Sequence, residues 1–238
     1  MSKPLVIAHR GSSGHRPENT LPAFELAVAH AADMIETDLH RTRDGAIVIT
    51  HDEDLSGLGG VGEIAGATLA EIRALDAGGG ERVPTLDEIL DRFGAQIPFN
   101  LELKRATDAD YDGLEAQALA SVKDRGLLAR TLWSSFYDSV LGRLRALDPD
   151  ARLALLISAR YPIRILERAR ELGAEAINPE ASIVTAALVD DAHAAGLSVY
   201  VFTVDDREEM QRLLALGVDG LFTNHPDRMR ALVDSRPR

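Results

Sequence analysis

Short apolar runs rich in β-branched and aromatic residues alternate along the chain with longer stretches in which apolar residues recur every three to four positions. Runs of the first kind lie at 5–9, 34–39, 98–104, 130–136, 152–157, 175–178, 198–204 and 218–223. Stretches of the second kind include 21–31, 111–126, 162–173, 185–196 and 207–217. The first pattern predicts buried strands and the second predicts amphipathic helices, so the chain is read as an α/β protein.

Eight predicted strands, each followed by a helix, is the count of a (β/α)8 TIM barrel, and 238 residues is an ordinary size for one. Several helical stretches end in glycine, as expected where a helix closes in a left-handed residue: Gly126, Gly173, Gly196 and Gly217. A doubly wound open sheet is the alternative, because counting strands does not show closure. No Gly-x-Gly-x-x-Gly follows the first strand, however. We therefore expect a single barrel domain over 1–238.

One segment departs from the alternation. Residues 53–83 are rich in glycine at both ends around one short helical stretch, and they follow the second strand. They predict a short insertion that rises from the top of the barrel. No linker and no repeat beyond the βα unit is visible.

Composition narrows the classes of function. The chain has 26 Lys and Arg against 38 Asp and Glu, a formal net charge of −12, which argues against nucleic acid as a general partner. The absence of cysteine excludes disulfides, thiol catalysis and thiolate metal sites, and it fits a reducing compartment. No apolar stretch approaches the ~20 residues of a membrane helix, and the first apolar run is too short for a signal sequence. We predict a cytoplasmic enzyme.

The stretch ETDLHRTRDGAIVITHD, 36–52, predicts a hairpin with an unusual end. Glu36 and Asp38 share one face at the carboxyl end of the second strand, because alternate strand residues point the same way. A two-residue turn at Asp44-Gly45 would pair residue 38 with His51. Active sites of barrel enzymes lie at this end of the strands. A merely solvated hairpin end is the alternative.

Polar residues also end the first strand. His9 and Arg10 come directly after its apolar residues, and Thr20 is suited to cap the following helix. An ordinary polar loop would account for Thr20 but not for the His-Arg pair at the strand end. His15 and Arg16, further along the loop, are predicted to be surface residues.

The third strand repeats the pattern of the second. Glu102 and Lys104 share a face at its carboxyl end, whereas Leu101 and Leu103 face the surrounding helices. Charged groups that point into a barrel are costly unless they are paired. A lone Glu-Lys ion pair is the simpler alternative.

Taken together, these strand ends place three carboxylates around one point, with histidines and cations at its edge. Oxygen ligands of this kind suit Mg²⁺ or Ca²⁺ better than Zn²⁺. A divalent cation beside Arg and Lys would bind a cluster of anionic oxygens, most simply a phosphate. Two histidines would supply one proton donor and one acceptor near neutral pH.

In this order the motifs resemble the glycerophosphodiester phosphodiesterase family. The resemblance rests on HRG at 9–11, PENT at 17–20, ETDL at 36–39, HD at 51–52 and ELK at 102–104. Weaker matches are SSF at 134–136, VFTVD at 201–205 and DGLFTNHPD at 219–227. The resemblance implies a TIM barrel that hydrolyses glycerophosphodiesters to sn-glycerol 3-phosphate and an alcohol.

The resemblance also implies roles for particular residues. Glu36, Asp38 and Glu102 would hold one divalent cation, Mg²⁺ or Ca²⁺. His9 and His51 would form the acid-base pair. The attacking group is either water or the glycerol 2-hydroxyl, which would pass through a cyclic phosphate.

Further residues complete the implied substrate site. Arg10 and Lys104 would contact the phosphate, and Glu18 would support His9 or Arg10. Relatives often carry Trp where this chain has Phe202, so the pocket wall for the glycerol or alcohol group is expected to differ. Trp133, in the strand at 130–136, is predicted to be barrel core.

Two readings compete with this one. A phosphodiesterase that prefers lysophospholipids would need an apolar entrance, which the short Gly-rich insertion does little to supply. A barrel that only binds metal or phosphate would not need an acid-base pair. The segment FTNHPD, 222–227, is expected only to close the last strand and to cap the final helix with Asn224 and Pro226.

Overall fold

The computed structural model describes residues 3–235, and within them eight parallel strands form a closed ring with one extra strand. The strands are β1 (Leu5–His9), β2 (Met34–Arg41), β3 (Ile47–Ile49), β4 (Phe99–Leu103), β5 (Thr131–Ser135), β6 (Arg152–Ile157), β7 (Ala176–Pro179), β8 (Ser198–Val201) and β9 (Gly220–Thr223). The ring closes because β1 pairs in parallel with both β2 and β9. The predicted TIM barrel is confirmed, and the open sheet is wrong.

Helices connect the strands on the outside of the ring. They are α1 (Leu21–Ala29), α2 (Leu69–Arg73), α3 (Leu86–Phe93), α4 (Leu114–Asp124), α5 (Asp138–Leu147), α6 (Ile165–Glu171), α7 (Ala186–Ala194), α8 (Arg207–Ala215) and α9 (Pro226–Asp234). The Thr20 side chain caps α1, as predicted, by accepting a hydrogen bond from the backbone of Ala23. The four predicted glycines that follow helices all have positive φ. Among the helices of 3–235, none combines the length and the apolar character needed to cross a bilayer.

The inside of the barrel becomes more polar along the strands. At the amino-terminal end, Ile7, Met34, Leu132 and other inward side chains form an apolar cluster. One layer higher, Ser134 donates a hydrogen bond to Asn100 at 2.6 Å. The charged residues come last, at the carboxyl ends, so the apolar floor supports a polar opening.

The outward faces of the strands pack beneath the helices in the main core. Leu101, Leu103 and Trp133 belong to this core, and each of them is fully buried. The prediction that Trp133 is core rather than site is confirmed.

The predicted register of the hairpin is wrong by one residue. Leu39 lies opposite Ile49, and His40 lies opposite Val48, so residue 38 does not pair with residue 51. The cause is Thr42, whose backbone and side chain both bond to Ala46 across a loop of three residues rather than two. His51 therefore lies beyond the end of the ladder, in the chain that leaves the hairpin.

The insertion after the hairpin has a small apolar core of its own. Its members come from β3, a short 3-10 turn, α2 and the loops between and after them: Val48, Leu55, Ile64, Ala67, Ile72 and Val83. The helix α2 begins with a reciprocal capping box between Thr68 and Glu71. The predicted insertion with one short helix is confirmed.

Candidate active site

Three carboxylates meet at the carboxyl ends of β2 and β4. Glu36 and Asp38 point inward from β2, and Glu102 lies directly opposite Asp38 in the ladder. One oxygen of each residue lies within 4.8 Å of the others, and all three residues are buried. The structure thus brings together the three residues that the sequence placed around one point.

Two cations lie against these carboxylates. The Lys104 Nζ is 3.0 Å from an Asp38 oxygen and 2.8 Å from a Glu102 oxygen. The Arg10 Nε is 3.3 Å from the other Asp38 oxygen, and its Nη1 donates to Glu18 at 3.0 Å. The Glu-Lys pair is therefore part of a network, and three buried carboxylates face only two partly buried cations.

The two glutamates, Glu36 and Glu102, both have a raised pKa. Burial raises the pKa of Glu36 well above its usual value, and the neighbouring carboxylates raise it further. Burial also raises the pKa of Glu102 against the pull of Lys104. Burial acts the same way on Asp38, but Lys104 and Arg10 outweigh it and hold the pKa of that carboxyl well below its usual range. Such a donor set, hard and short of positive charge, fits a divalent cation.

His9 is held in one tautomer by Asn224, the residue that follows β9. Its Nδ1 lies 2.8 Å from the Asn224 Oδ1, while the Asn224 amide nitrogen donates to Asp205. Because that oxygen can only accept, Nδ1 carries the proton. The unprotonated Nε2 lies 3.5 Å from the Thr203 hydroxyl and 3.9 Å from a Glu36 oxygen. Burial, reinforced by Arg10, lowers the pKa of His9 to about 4. His9 is therefore neutral at pH 7.

His51 has a different partner. Its Nδ1 lies 2.7 Å from a carboxylate oxygen of Asp52, and about a third of its side chain is exposed. Its ring is close enough to interact electrostatically with Asp38, Glu102 and His9. Both histidines thus interact with the carboxylate cluster, and one is backed by an amide while the other is backed by a carboxylate.

Comparison with known proteins decides the family. The glycerophosphoryl diester phosphodiesterase family matches residues 9–228. A glycerophosphodiester phosphodiesterase of Bacillus subtilis (strain 168) is 34% identical over 94% of this chain and 84% of its own length. The chain belongs to the glycerophosphoryl diester phosphodiesterase family. It is therefore an enzyme, a phosphoric diester hydrolase.

Other relatives agree over nearly the whole length. A glycerophosphodiester phosphodiesterase of Caldanaerobacter subterraneus is 34% identical over 97% of this chain and 98% of its own. A phosphodiesterase of Oleispira antarctica, solved with the product sn-glycerol 3-phosphate, superposes with a TM-score of 0.84. It is 34% identical, and the match covers 98% of this chain and 97% of that one.

Phe202, a predicted pocket wall, follows β8 on the inner face of the barrel. Its half-buried ring packs edge-on against Phe136 and Phe222, with centroids 5.8 and 6.5 Å away. The structure places it at the mouth of the barrel, and its contact with substrate stays a prediction.

Sequence reasoning missed three residues that hold the site in place. Asn19, at a left-handed φ of 57°, donates to Asp38 at 2.9 Å and accepts from Thr37 at 2.7 Å. His40 contacts the carbonyl oxygen of His51 at 3.0 Å through Nε2. His40 could have been found from the sequence, because it lies two residues after Asp38 on the same face of the strand. The third is Asn224.

The prediction that 222–227 only closes the strand and caps the helix is wrong. His225, not Asn224, stands at the N-cap position of α9, while Pro226 opens the helix as predicted. The Asn224 side chain instead bonds His9 and accepts from Ser13 at 2.7 Å. Its contact with His9 spans 215 positions of sequence.

Asn224→Ala is expected to lower kcat about tenfold or more while leaving the overall fold intact. The substitution removes the acceptor that fixes the tautomer of His9, so less of the enzyme holds Nε2 ready. Steady-state kinetics on glycerophosphocholine would measure the effect, with Ser182→Ala as a surface control. A kcat within twofold of wild type would contradict the positioning role.

Proposed function

We propose that the chain hydrolyses glycerophosphodiesters to sn-glycerol 3-phosphate and an alcohol at the carboxylate cluster. The observation that carries the proposal is the charge of that cluster. With all three carboxyl groups ionised, as cation binding requires, Glu36, Asp38 and Glu102 together with Arg10 and Lys104 carry one net negative charge. One divalent cation would turn this to one positive charge, which a phosphodiester monoanion would neutralise.

The metal would be Mg²⁺ or Ca²⁺, held by Glu36, Asp38 and Glu102. Bound there, the cation would neutralise the phosphate oxygens as charge develops on them. Arg10 would bind a phosphate oxygen, because Glu18 and Asp38 fix its guanidinium from two sides. Lys104, whose ammonium is held between Asp38 and Glu102, would complete the phosphate site.

The partners of the two histidines suggest their roles. His9 donates from Nδ1 to a neutral amide, so its Nε2 is an acceptor and would take the proton of the attacking hydroxyl. His51 donates from Nδ1 to the Asp52 carboxylate, which fixes the orientation of the ring and suits it to deliver a proton from Nε2. His51 would therefore protonate the leaving alkoxide. The attacking group is water or the glycerol 2-hydroxyl, and trapping of a cyclic glycerol phosphate would distinguish them.

Glycerophosphocholine tests the reaction and the scissile bond together. The purified enzyme is expected to release sn-glycerol 3-phosphate and choline when Mg²⁺ or Ca²⁺ is present, and EDTA is expected to stop release. Both product pairs should be measured by enzymatic coupling or mass spectrometry. Release of phosphocholine and glycerol would place the cut on the other side of the phosphorus, and EDTA-resistant turnover would contradict the metal.

One groove favours a second candidate, a phosphodiesterase that acts on lysophospholipids. A cavity of about 480 Å³ lies above β5 and β6, lined in part by Phe136, Tyr137, Tyr161 and Ile163. Tyr137, Tyr161 and Ile163 are each more than 40% exposed, which is unusual for apolar side chains of this size. Lysophosphatidylcholine hydrolysed faster than glycerophosphocholine would favour this candidate.

A further inference from the structure

Two histidines and an aspartate meet on the surface, away from the carboxylate cluster. His15 lies in the loop after β1, His30 ends α1, and Asp227 lies in the first turn of α9. One nitrogen of each histidine and one oxygen of Asp227 lie within 4.8 Å of one another. The three residues come from opposite ends of the sequence and meet where the ring of strands closes.

The ligand atoms are already oriented. The His15 Nε2 lies 3.0 Å from an Asp227 oxygen. The His30 Nδ1 lies 3.1 Å from the hydroxyl of Ser12, which is fully buried. A hydroxyl that fixes one ring nitrogen in this way leaves the other free as a ligand, as happens for most metal-binding histidines.

A third histidine packs against this cluster. The His225 ring stands at right angles to the His15 ring, with centroids 5.2 Å apart. It fits only because residue 14 is glycine, since a Cβ at Gly14 would lie 2.2 Å from its Cε1. Its Nδ1 is buried and has no hydrogen-bond partner among residues 3–235. Gly14 thus leaves room for the His225 imidazole, whose buried Nδ1 has no hydrogen-bond partner in the described part of the chain.

We propose that His15, His30 and Asp227 form a second metal site, selective for Zn²⁺ and similar transition-metal ions. Two imidazoles and one carboxylate suit Zn²⁺, whereas Mg²⁺ and Ca²⁺ prefer oxygen donors alone. Zinc ligands about 2.1 Å from the metal lie about 3.4 Å apart. The ligand atoms here lie within 4.8 Å of one another, so no pair needs to close by more than about 1.4 Å. A water would complete the coordination on the exposed side.

The bound ion would act as a clamp between the first and the last βα units. The loop that carries His15 also carries Arg10, Glu18 and Asn19, all of which contact the carboxylate cluster or its cations. Tying this loop to α9 would hold those residues in place. The clamp goes beyond the proposed hydrolysis, and its metal binding can be measured without any substrate.

Cobalt(II) provides the direct test. Tag-free protein in excess Mg²⁺ and Ca²⁺, which fill the carboxylate cluster, is titrated with Co²⁺ while visible absorption is recorded. We expect one equivalent to give the strong absorption of a low-coordinate nitrogen-oxygen site, and Zn²⁺ to displace it. His15→Ala and Asp227→Asn are expected to weaken binding at least tenfold. Both side chains are about one third exposed, so the variants should fold normally.

His193→Ala is the matched control. It breaks a His-Asp pair of the same kind, in which the His193 Nε2 lies 2.8 Å from an Asp219 oxygen. This pair has no third ligand among the described residues, so the variant should bind Co²⁺ like wild type. Glu36→Gln, which removes one of the carboxylates proposed to hold the other cation, should also keep the absorption, which would exclude the carboxylate cluster as its source. Loss of the absorption in Glu36→Gln, equal affinity in Asp227→Asn, or no absorption in wild type would each overturn the proposal.

Thermal unfolding gives an independent readout. Zn²⁺ at about a hundredfold excess over its Kd should raise the unfolding midpoint of wild type by on the order of 5 °C, because the ion binds only the folded state. Asp227→Asn should show little of this rise. An equal rise in both proteins would overturn the assignment to this cluster.

Discussion

His51→Ala is expected to lower kcat on glycerophosphocholine by about 10²–10⁴, the range for a positioned acid or base. The loss should shrink to about tenfold or less on a glycerophosphodiester whose leaving group is p-nitrophenolate. That leaving group departs without a proton, so a missing general acid matters little. Steady-state assays of both substrates at saturating Mg²⁺ would measure the difference.

His9→Ala is expected to lose a similar factor on both substrates. A missing general base affects the attacking hydroxyl, whatever group leaves. The two histidines differ in their partners, which are the amide of Asn224 for His9 and the carboxylate of Asp52 for His51. His193→Ala, which removes a histidine far from the site, serves as control for both variants.

Opposite substrate dependence in the two variants would reverse the assignment of acid and base. Near-normal turnover in both variants on both substrates would remove the histidines from the chemistry altogether. The circular dichroism of His51→Ala should match wild type, since His51 is partly exposed and lies after the β3 strand rather than within it.

Glu36→Gln is expected to abolish cation-dependent activity and yet to stabilise the metal-free protein. The first effect follows from loss of a ligand, and we expect cation affinity to fall at least a hundredfold. The second follows because Glu36 shares its site with two other carboxylates, and a neutral amide removes one buried charge. Removing it should add about 1–3 kcal/mol to the free energy of unfolding above neutral pH.

The pH dependence has a definite sign. The folded-state pKa of Glu36 is raised well above the usual value of 4.5, so the folded protein keeps a proton that the unfolded chain has lost. Its contribution to stability is present below pH 4.5 and is lost as pH rises through the folded-state pKa. His9 has the opposite dependence, but it acts only between about 4 and its usual value of 6.5.

Urea unfolding in EDTA between pH 6.5 and 8.5 would therefore isolate the carboxylates. The stability gained by Glu36→Gln over wild type should grow with pH across this window, and added Mg²⁺ should stabilise wild type alone. A stability gain that shrinks as pH rises would contradict the raised pKa.

Glu115→Gln is the matched control for this experiment. Glu115 is also buried, but it is paired with Arg143 at 2.7 Å and lies outside the barrel mouth. Its substitution leaves Arg143 without that carboxylate, so it should destabilise the protein or leave it unchanged. Cation affinity should not change.

The sequence by itself determined the elements and the chemistry of the strand ends. Every predicted strand lies within about three residues of its observed bounds. The reason is that the period of two in strands and of 3.6 in helices can be seen among residues that are close in sequence. The same period of two placed Glu36 beside Asp38 and Glu102 beside Lys104. A strand's alternation is local, so no knowledge of the rest of the chain was needed.

The one-residue error in the hairpin had a local cause of a different kind. An Asp-Gly pair signals a two-residue turn, but the Thr42 side chain bonds across to Ala46 and favours a longer loop. Side-chain bonding of this sort competes with the intrinsic preference of the turn. The Asp-Gly pattern shows the preference for a two-residue turn, but it does not show that the Thr42 side chain competes with that turn.

Only the tertiary structure decided which distant residues meet. Closure of the ring through β1 and β9 brings Asn224 to His9 and Asp227 to His15, across more than 200 positions of sequence. No periodicity encodes such a contact, because it depends on the summed twist and tilt of eight strands. The residues that we propose for the chemistry could be chosen from the sequence, whereas the residues that hold them became visible only once the barrel had closed.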